Sequence, residues 1–386
     1  MINTKRIEEI VNEARKEFKS RVLPTVMVIG ASGSGKSTLV NTVFGKEIAH
    51  VGVGEAQTKG FTRYDGNKLG LNFNLIDAEG WELGEDENIQ LNKISEYLDG
   101  VKKSGESIQV IWYCISIDAR RIQNMDICIL DLLMKRKEIS KNVFVVFTKA
   151  DMDSPSHPNT SDEYLKIIGD HFPQLKCFRV CDDQALNRQH FDMSDMIRCS
   201  SERIDDEELA DIFVAAQSYE LSLKREKANK FAKTSAFQAA VAGATPIPIA
   251  DSIIIVGIQI RMITKIGLIY GFNLMESVAA NGGEAIISQI GKLLAKNLGE
   301  RAIAELTKLI PGIGTLVGSA ANAVVAASIT YSLGRAVSEY YYSLYKKLLT
   351  GQQASGGDII KWLSNEDFLK GIESRIEDYQ RMTEEN

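Results

Sequence analysis

The residues with the clearest chemistry lie in GASGSGKST, Gly30 to Thr38. The spacing is G-x-x-x-x-G-K-[ST], and it falls between the apolar run TVMVIG and the helical pattern GKSTLVNTVFG. A phosphate-binding loop needs that order, because a strand must deliver the loop and a helix N-terminus must receive the anion. Gly33 and Gly35 let the backbone approach an anion with no Cβ in the way. Gly30, Ser32, Gly33, Ser34, Gly35, Lys36, Ser37 and Thr38 form the candidate cradle. Lys36 is placed to reach the β- and γ-phosphates, and the Ser37 hydroxyl to ligate Mg²⁺.

A second cluster, FTKAD (Phe147 to Asp151), closes another apolar run. A carboxylate at Asp151 can accept both donors on the N1–N2 edge of guanine, a pair that adenine lacks. The Lys149 stem would lie over the base, and Thr148 begins the motif. The four-residue pattern alone also fits a solvated turn; its position after a phosphate loop and at a strand end gives it weight. Between the two lies LIDAEGWEL (Leu75 to Leu83). Asp77 ends a strand-like run, as a carboxylate that holds Mg²⁺ through water does, and the Gly80 amide could bond a γ-phosphate. An ordinary turn is the alternative. A threonine to complete the metal shell is expected upstream in a mobile loop; VGVGEAQTKG offers Thr58, with Thr62 as a weaker candidate and loop solvation as the bland reading.

These residues need a scaffold, and the hydrophobic pattern supplies one. TVMVIG, IQVIWYCISI, NVFVVFTKAD and KCFRVC read as buried strands, and DICILDLLMKRKEI as a helix. GFTRYDG and LGLNFNLID read as an antiparallel hairpin around Asn67 and Lys68. Strands alternating with helices predict a mostly parallel sheet covered on both faces.

The order Lys36–Ser37, Thr58, Asp77–Gly80, Thr148–Lys149–Asp151 resembles the translation-factor class of GTPases. Within it the chain is most similar to Era/septin-like GTPases and their immunity-related relatives, over about residues 25–182. The resemblance implies GTP and GDP as ligands, Mg²⁺ as cofactor, hydrolysis of GTP, and catalytic work by Lys36, Thr58 and Gly80. Glu79 stands where a proline is common. No clean Ser-Ala signature follows the last strand, and Val180–Cys181 is the nearest match, making Cys181 the candidate fifth base contact. Where many such enzymes carry a water-orienting glutamine, this chain has Trp81. Glu79 is then the nearest polar replacement; a partner in trans, such as a second copy, or slow turnover are the other routes. Arg120 and Arg121 could stabilise transition-state charge, or form a plain surface basic pair.

The chain has 386 residues, so two domains are expected. The net charge of −6, and the absence of a basic tail, argue against nucleic acid as a partner. The five cysteines form no C-x-x-C pair and their spacing with His171 and His190 fits no common zinc pattern, so reduced thiols in a cytoplasmic protein are expected. MINTKRIEEIVNEARKEF lacks the apolar core of a signal peptide and reads as an amphipathic helix over residues 4–20.

After residue 200 the composition changes. Residues 202–233 read as one long helix, and the stretches Thr234–Ala250 and Leu309–Gly334 carry no charge. Pro248 followed by Gly271, and Pro311 followed by Gly334 at the same spacing, suggest two apolar helical hairpins, each with a proline hinge and a glycine stop. These segments resemble the helical domain of uncharacterised function found behind bacterial GTPases and in YcjF-type membrane proteins, which implies membrane association. Residues 309–334 are long enough to span a bilayer, and a small-residue bundle buried in a soluble domain is the alternative.

The expected organisation is an N-terminal amphipathic helix (1–22); an α/β P-loop GTPase (G) domain with a mostly parallel sheet and one antiparallel strand (23–200); an all-α helical domain (201–349); and a linker with a C-terminal amphipathic helix (350–386). The expected partners are guanine nucleotide, a second copy bound through the G domain, and membrane lipid. A nucleotide-gated scaffold with negligible turnover is the second reading.

Overall fold

The computed structural model of the protein describes residues 21–45, 55–58, 60–82, 84–153, 160–244, 253–271 and 319–349. The expected N-terminal and C-terminal amphipathic helices, the 350–358 linker, and the hinges at Pro248 and Pro311 lie outside the described residues. The chain divides into two compact units, Val22–Glu220 and the part from Leu221 onward.

The first unit is built on a seven-stranded sheet of order β2-β3-β4-β1-β5-β6-β7. Its strands are β1 (Thr25–Gly30), β2 (Glu55–Thr58), β3 (Phe61–Tyr64), β4 (Asn74–Ala78), β5 (Val110–Ser116), β6 (Val143–Thr148) and β7 (Lys176–Arg179). Its helices are α1 (Lys36–Phe44), the short α2 (Gly66–Leu69), α3 (Glu87–Lys103), α4 (Asn124–Met134), α5 (Thr160–His171), α6 (Gln184–His190), α7 (Met193–Arg203) and α8 (Glu207–Ala216). The pairs β1–β4, β1–β5, β5–β6 and β6–β7 are parallel, while β3 is antiparallel to both β2 and β4. Only β3 therefore runs against the rest, as the hairpin pattern predicts. Asp65 caps the turn of that hairpin by accepting from the Asn67 and Lys68 amides.

β1, β5 and β6 are buried along their whole length, which is why they read as unbroken apolar runs rather than alternating ones. On one face of the sheet, Trp112 packs edge-on to Phe213 of α8 and donates from its indole to Ser200 Oγ of α7 at 3.0 Å. Those contacts extend the first unit past residue 200, where composition places the boundary, to Glu220. The long helix expected over 202–233 is instead the end of α7, all of α8 and the start of a further helix at Leu221. The Ser218 amide donates to the Val43 carbonyl, and the Gln217 side chain accepts from the Glu220 amide and donates to its carbonyl. Side-chain and tertiary hydrogen bonds thus replace the helical ones at the break.

The second unit contains α9 (Leu221–Gly243), α10 (Ile253–Ile269) and the 31-residue α11 (Ser319–Leu349) among its described residues. α9 runs antiparallel to α10, with Lys224 donating to the Ile269 carbonyl and Lys265 over the Phe231 ring. α10 and α11 run parallel, with Gln259 bonded to Thr330 and Tyr270 to Ser338. Gly271, at φ +77°, follows the end of α10 as a glycine stop should. Gly334 does not stop a helix. It lies inside α11, where an added Cβ would come within 2.6 Å of Ala232 Cβ and 2.8 Å of Met262 Sδ. Its role is close packing of three helices. No described helix is long and apolar enough to cross a membrane, so the span expected over 309–334 is not found among the described residues.

Candidate nucleotide site

The C-terminal ends of β1, β4, β5 and β6 meet at one edge of the sheet, and the loops leaving them carry the motif residues. The phosphate loop wraps the Lys36 amine, which donates to the Gly30 and Ala31 carbonyls at 2.8 and 3.0 Å. Burial lowers the Lys36 pKa, against the raising effect of Cys114 and Asp77 nearby. A side chain at Gly30 would meet the Cys114 carbonyl at 2.3 Å, so the loop can leave β1 only through glycine. Gly35 sits at φ +81°, pressed against Thr148. Thr148 Oγ1 donates to the Ser34 carbonyl at 2.7 Å and thereby ties the phosphate loop to the expected base-binding motif. Ser37 is half-buried and Thr38 exposed.

Asp77 stands at the end of β4, paired in register with Val28 of β1 and Thr62 of β3. Burial raises the pKa of its carboxyl, and Lys36 pulls it back down. Its Oδ1 is buried with no hydrogen-bond partner, as is Ser34 Oγ in the phosphate loop. Buried polar atoms are seldom left orphaned. A carboxylate oxygen of this kind beside a phosphate cradle fits a hydrated divalent cation, with Ser37 as the direct ligand.

The loop after β4 closes on the cradle. A Cβ at Gly80 would lie 2.5 Å from the Ser32 amide nitrogen, and that amide donates to the Trp81 carbonyl at 2.9 Å. Only glycine allows this approach. The Trp81 side chain is 4% exposed and lies 6.1 Å from the Tyr113 ring in the hydrophobic core. The tryptophan is thus a packing residue that anchors the Gly80 loop, and it also lines the cleft beside the phosphate loop, its Nε1 buried with no hydrogen-bond partner. Glu79 is exposed, its amide donating to the Gly60 carbonyl. Thr58, expected in a loop, is the last residue of edge strand β2, paired with Phe61.

At the base-binding end, Lys149 adopts φ +54°, and its amine pairs with Asp118 Oδ2 at 2.7 Å. Ser116 Oγ donates to the other Asp118 oxygen at 2.5 Å. Burial pushes the Asp118 carboxyl up, but the Lys149 and Ser116 hydrogen bonds outweigh it and hold the pKa below the usual range. Asp151 is exposed in the turn that follows. The Ala150 amide donates to the Val180 carbonyl, which brings the loop after β7 alongside. There Cys181 is buried, its amide donating to Asn187 Oδ1 and its carbonyl accepting from Asn187 Nδ2. Asp118 and Asn187 carry no sequence signal; each is identified only by the fold. Arg121 lies with Ser32, Gly33, Trp81, Glu82 and Ser116 on a cleft of about 430 Å³ beside the phosphate loop.

Two family models match the chain. Residues 25–149 match "50S ribosome-binding GTPase", and residues 208–361 match "Domain of unknown function (DUF697)". The first unit is accordingly a P-loop GTPase domain, and the chain continues into the helical domain that its sequence resembles. Magnetosome membrane protein 22 of Magnetospirillum gryphiswaldense is 33% identical over 114 residues, which is 30% of this chain and 57% of that protein. GTPase Der of Bacteroides thetaiotaomicron is 29% identical, over 46% of this chain and 39% of that protein. Translocase of chloroplast 34 of Arabidopsis thaliana is 29% identical, over 42% of this chain and 52% of that protein. The chain thus spans about half the length, or less, of these curated relatives. Among solved structures, a probable GTP-binding protein engB is 15% identical with a TM-score of 0.33, over 47% of this chain and 98% of that one. Toc33 of Arabidopsis thaliana, in complex with Mg²⁺ and GMPPNP, is 23% identical with a TM-score of 0.30, over 46% of this chain and 78% of that one.

Proposed function

We propose that the protein binds GTP with Mg²⁺, hydrolyses it to GDP and phosphate, and couples its nucleotide state to a helical unit that contacts membrane or a second copy. The observation that carries the reading is the orphaned Asp77 Oδ1, held beneath a phosphate cradle that Thr148 ties to the base-binding turn. In this reading the backbone amides from Gly33 to Thr38 and the Lys36 amine hold the β- and γ-phosphates. Ser37 and Asp77 hold the metal, with Thr58 completing the set from β2. Asp151 selects guanine through its N1–N2 edge, Lys149 covers the base, and the loop at Cys181 closes the far side. Mg²⁺ neutralises charge on the phosphates. Gly80 reports the γ-phosphate because its loop already rests on Ser32; an incoming phosphate oxygen competes with the Trp81 carbonyl for that surface.

The group that orients water is not Trp81. Glu79, exposed on the same loop, is one candidate, and a residue from a second copy is the other. The buried indole also favours a second reading, in which the chain is a nucleotide-gated scaffold with negligible turnover. Titration of wild type and Asp151→Asn with GTP, ATP and XTP tests the first part. Wild type should prefer GTP and the variant XTP; equal binding of GTP and ATP by wild type would end the guanine assignment. Single-turnover hydrolysis across protein concentration separates the two readings. A rate per molecule that rises with concentration supports activation in trans, and no hydrolysis at any concentration leaves the scaffold.

A further inference from the structure

Helix α9 is inverted with respect to water. It buries Ala228, Ala232, Ala236 and Ala239, and exposes Phe237 at 71% and Val241 at 58%. A helix on a water-facing surface does the reverse, turning its bulky apolar residues to the core. Ile254, in the first turn of α10, is also exposed, at 57%. The three are neighbours in height. Lys265 lies over Phe231, and Ala239 clusters with Ile255 and Ala326, so the antiparallel register sets Val241 level with Ile254.

The charges follow the same axis. Thr234–Gly243 of α9, Ile253–Ile260 of α10 and Ser319–Gly334 of α11 contain no charged residue. Going away from this uncharged end, the first charge on each helix is a cation: Lys233, Arg261 and Arg335. The packing of Gly334 on Ala232 and Met262 brings those three to one level. Lys230 and Lys265, both exposed, follow one turn further on. At 1.5 Å per residue the first cations sit about 10–12 Å along the axis from Val241 and Ile254.

We propose that this end of the α9–α10–α11 bundle, whose described residues carry no charge, docks peripherally on an anionic lipid bilayer. Phe237, Val241 and Ile254 enter the boundary between headgroups and acyl chains, and Lys233, Arg261 and Lys265 meet the headgroups. The depth matches, since apolar faces of interfacial helices bury about 5–10 Å. The sign matches, since basic residues near a surface are drawn to anionic leaflets and long cationic side chains reach up to headgroups. No described helix is long and apolar enough to cross a membrane, and the proposal concerns contact at the bilayer surface. The inference rests on the membrane contact proposed above and names the face and the lipid charge.

The test is co-flotation of the full chain with vesicles of phosphatidylcholine alone or with added phosphatidylserine, in GDP and in a GTP analogue. Wild type should bind the anionic vesicles and release in high salt. Phe237→Gln with Val241→Gln, and Lys233→Glu with Arg261→Glu, should each lower binding about tenfold or more with unchanged helicity. Phe237→Trp should keep binding and be quenched by brominated lipid. Wild type that floats with no vesicle in either nucleotide state overturns the membrane reading itself. Wild type that floats while both double variants float equally, with no quenching at position 237, overturns this face and leaves the membrane reading standing. Loss of self-association in the double variants, with vesicle binding intact, assigns the face to a second copy and overturns the proposal.

Discussion

The two units of this chain pack differently at their closest contacts. The GTPase unit fills its core with large side chains: Trp112, Tyr113, Phe144 and Phe147 are fully buried around strands without charge. The helical unit packs through small residues. Ala228, Ala232, Ala239 and Gly334 line the contacts between α9, α10 and α11, and hydroxyls such as Ser328, Thr330, Ser332 and Ser338 are buried beside them. The first unit spends its irregular features on one ligand edge, where the orphaned Asp77 and the exposed Asp151 sit. The second has no such edge among its described residues; it buries Ile260, Ile263, Tyr270 and Tyr341 but leaves Phe237, Val241 and Ile254 outward at one end. A core of large side chains fixes loops to fractions of an ångström, which nucleotide chemistry requires. Small residues let the helix backbones approach closely, as at Gly334.

If that contrast is right, opposite substitutions should break the two units. Trp112→Ala removes the largest side chain of the first core and orphans Ser200. It should cost about 3–5 kcal/mol, read as a lower denaturant midpoint followed by nucleotide binding. Gly334→Leu is the converse, adding bulk where a Cβ is already 2.6 Å from Ala232. Overpacking of this kind should cost about 1–3 kcal/mol. It should lower the melting temperature of the helical unit while leaving GTP affinity unchanged. A tolerated Gly334→Leu would mean that α9 and α11 are not closely packed, and the inverted reading of α9 would fall with it.

The next prediction concerns charge. Lys224 is fully buried in the helical unit, its amine donating to the Ile269 carbonyl at 2.8 Å and lying 5.2 Å from the Tyr345 ring. Burial pushes its pKa down to about 7. In the unfolded chain a lysine titrates near 10.4, so between about pH 7 and about pH 10 the unfolded state holds more protons than the folded one. Stability must therefore rise with pH across that window and level off above it. Melting temperatures of wild type should climb over this range, and Lys224→Met should flatten the climb. A flat wild-type profile would show that the carbonyl and the ring keep the ammonium charged in place.

The sequence made the nucleotide site legible where its chemistry is local. The phosphate loop, Asp77 with Gly80, and Thr148 to Asp151 are each contiguous, and strand-loop-helix order places them. What escaped reading depends on contacts far apart in sequence. Trp81 is buried beside Tyr113 of β5, two strands away from β4 in the sheet, so its type alone could not tell core from site. The break at residues 217–220 has no glycine or proline to announce it, because the hydrogen bond from Ser218 to Val43 ends the helix from outside. Gly334 carries the pattern of a helix stop, yet α9 and α10 press on α11 there and make it a contact instead. Composition placed the domain boundary near residue 200, since α7 and α8 belong to the first unit by packing and not by polarity.

The smallest expected effect gives the sharpest contrast between the units. Asp118 lies 31 positions before Lys149 in sequence, and the fold brings them to 2.7 Å because β5 and β6 are neighbours in the sheet. Both side chains are 41% exposed. An ion pair that open to water is worth no more than about 1 kcal/mol. Asp118→Asn should therefore weaken GTP binding by about fivefold at most, and the loss should shrink as salt rises. Base choice should stay with guanine, because in the proposed site Asp118 only pairs with Lys149 while Asp151 reads the base edge; Asp151→Asn should change base choice instead. Competition titrations with GTP, ATP and XTP at low and high salt separate these outcomes. A loss well beyond tenfold, or a shift toward another base, would place Asp118 in direct contact with the nucleotide. The GTPase unit would then depend on single charged contacts even at its rim, whereas the helical unit's surface contact is a sum over several exposed side chains, none of which should matter as much alone.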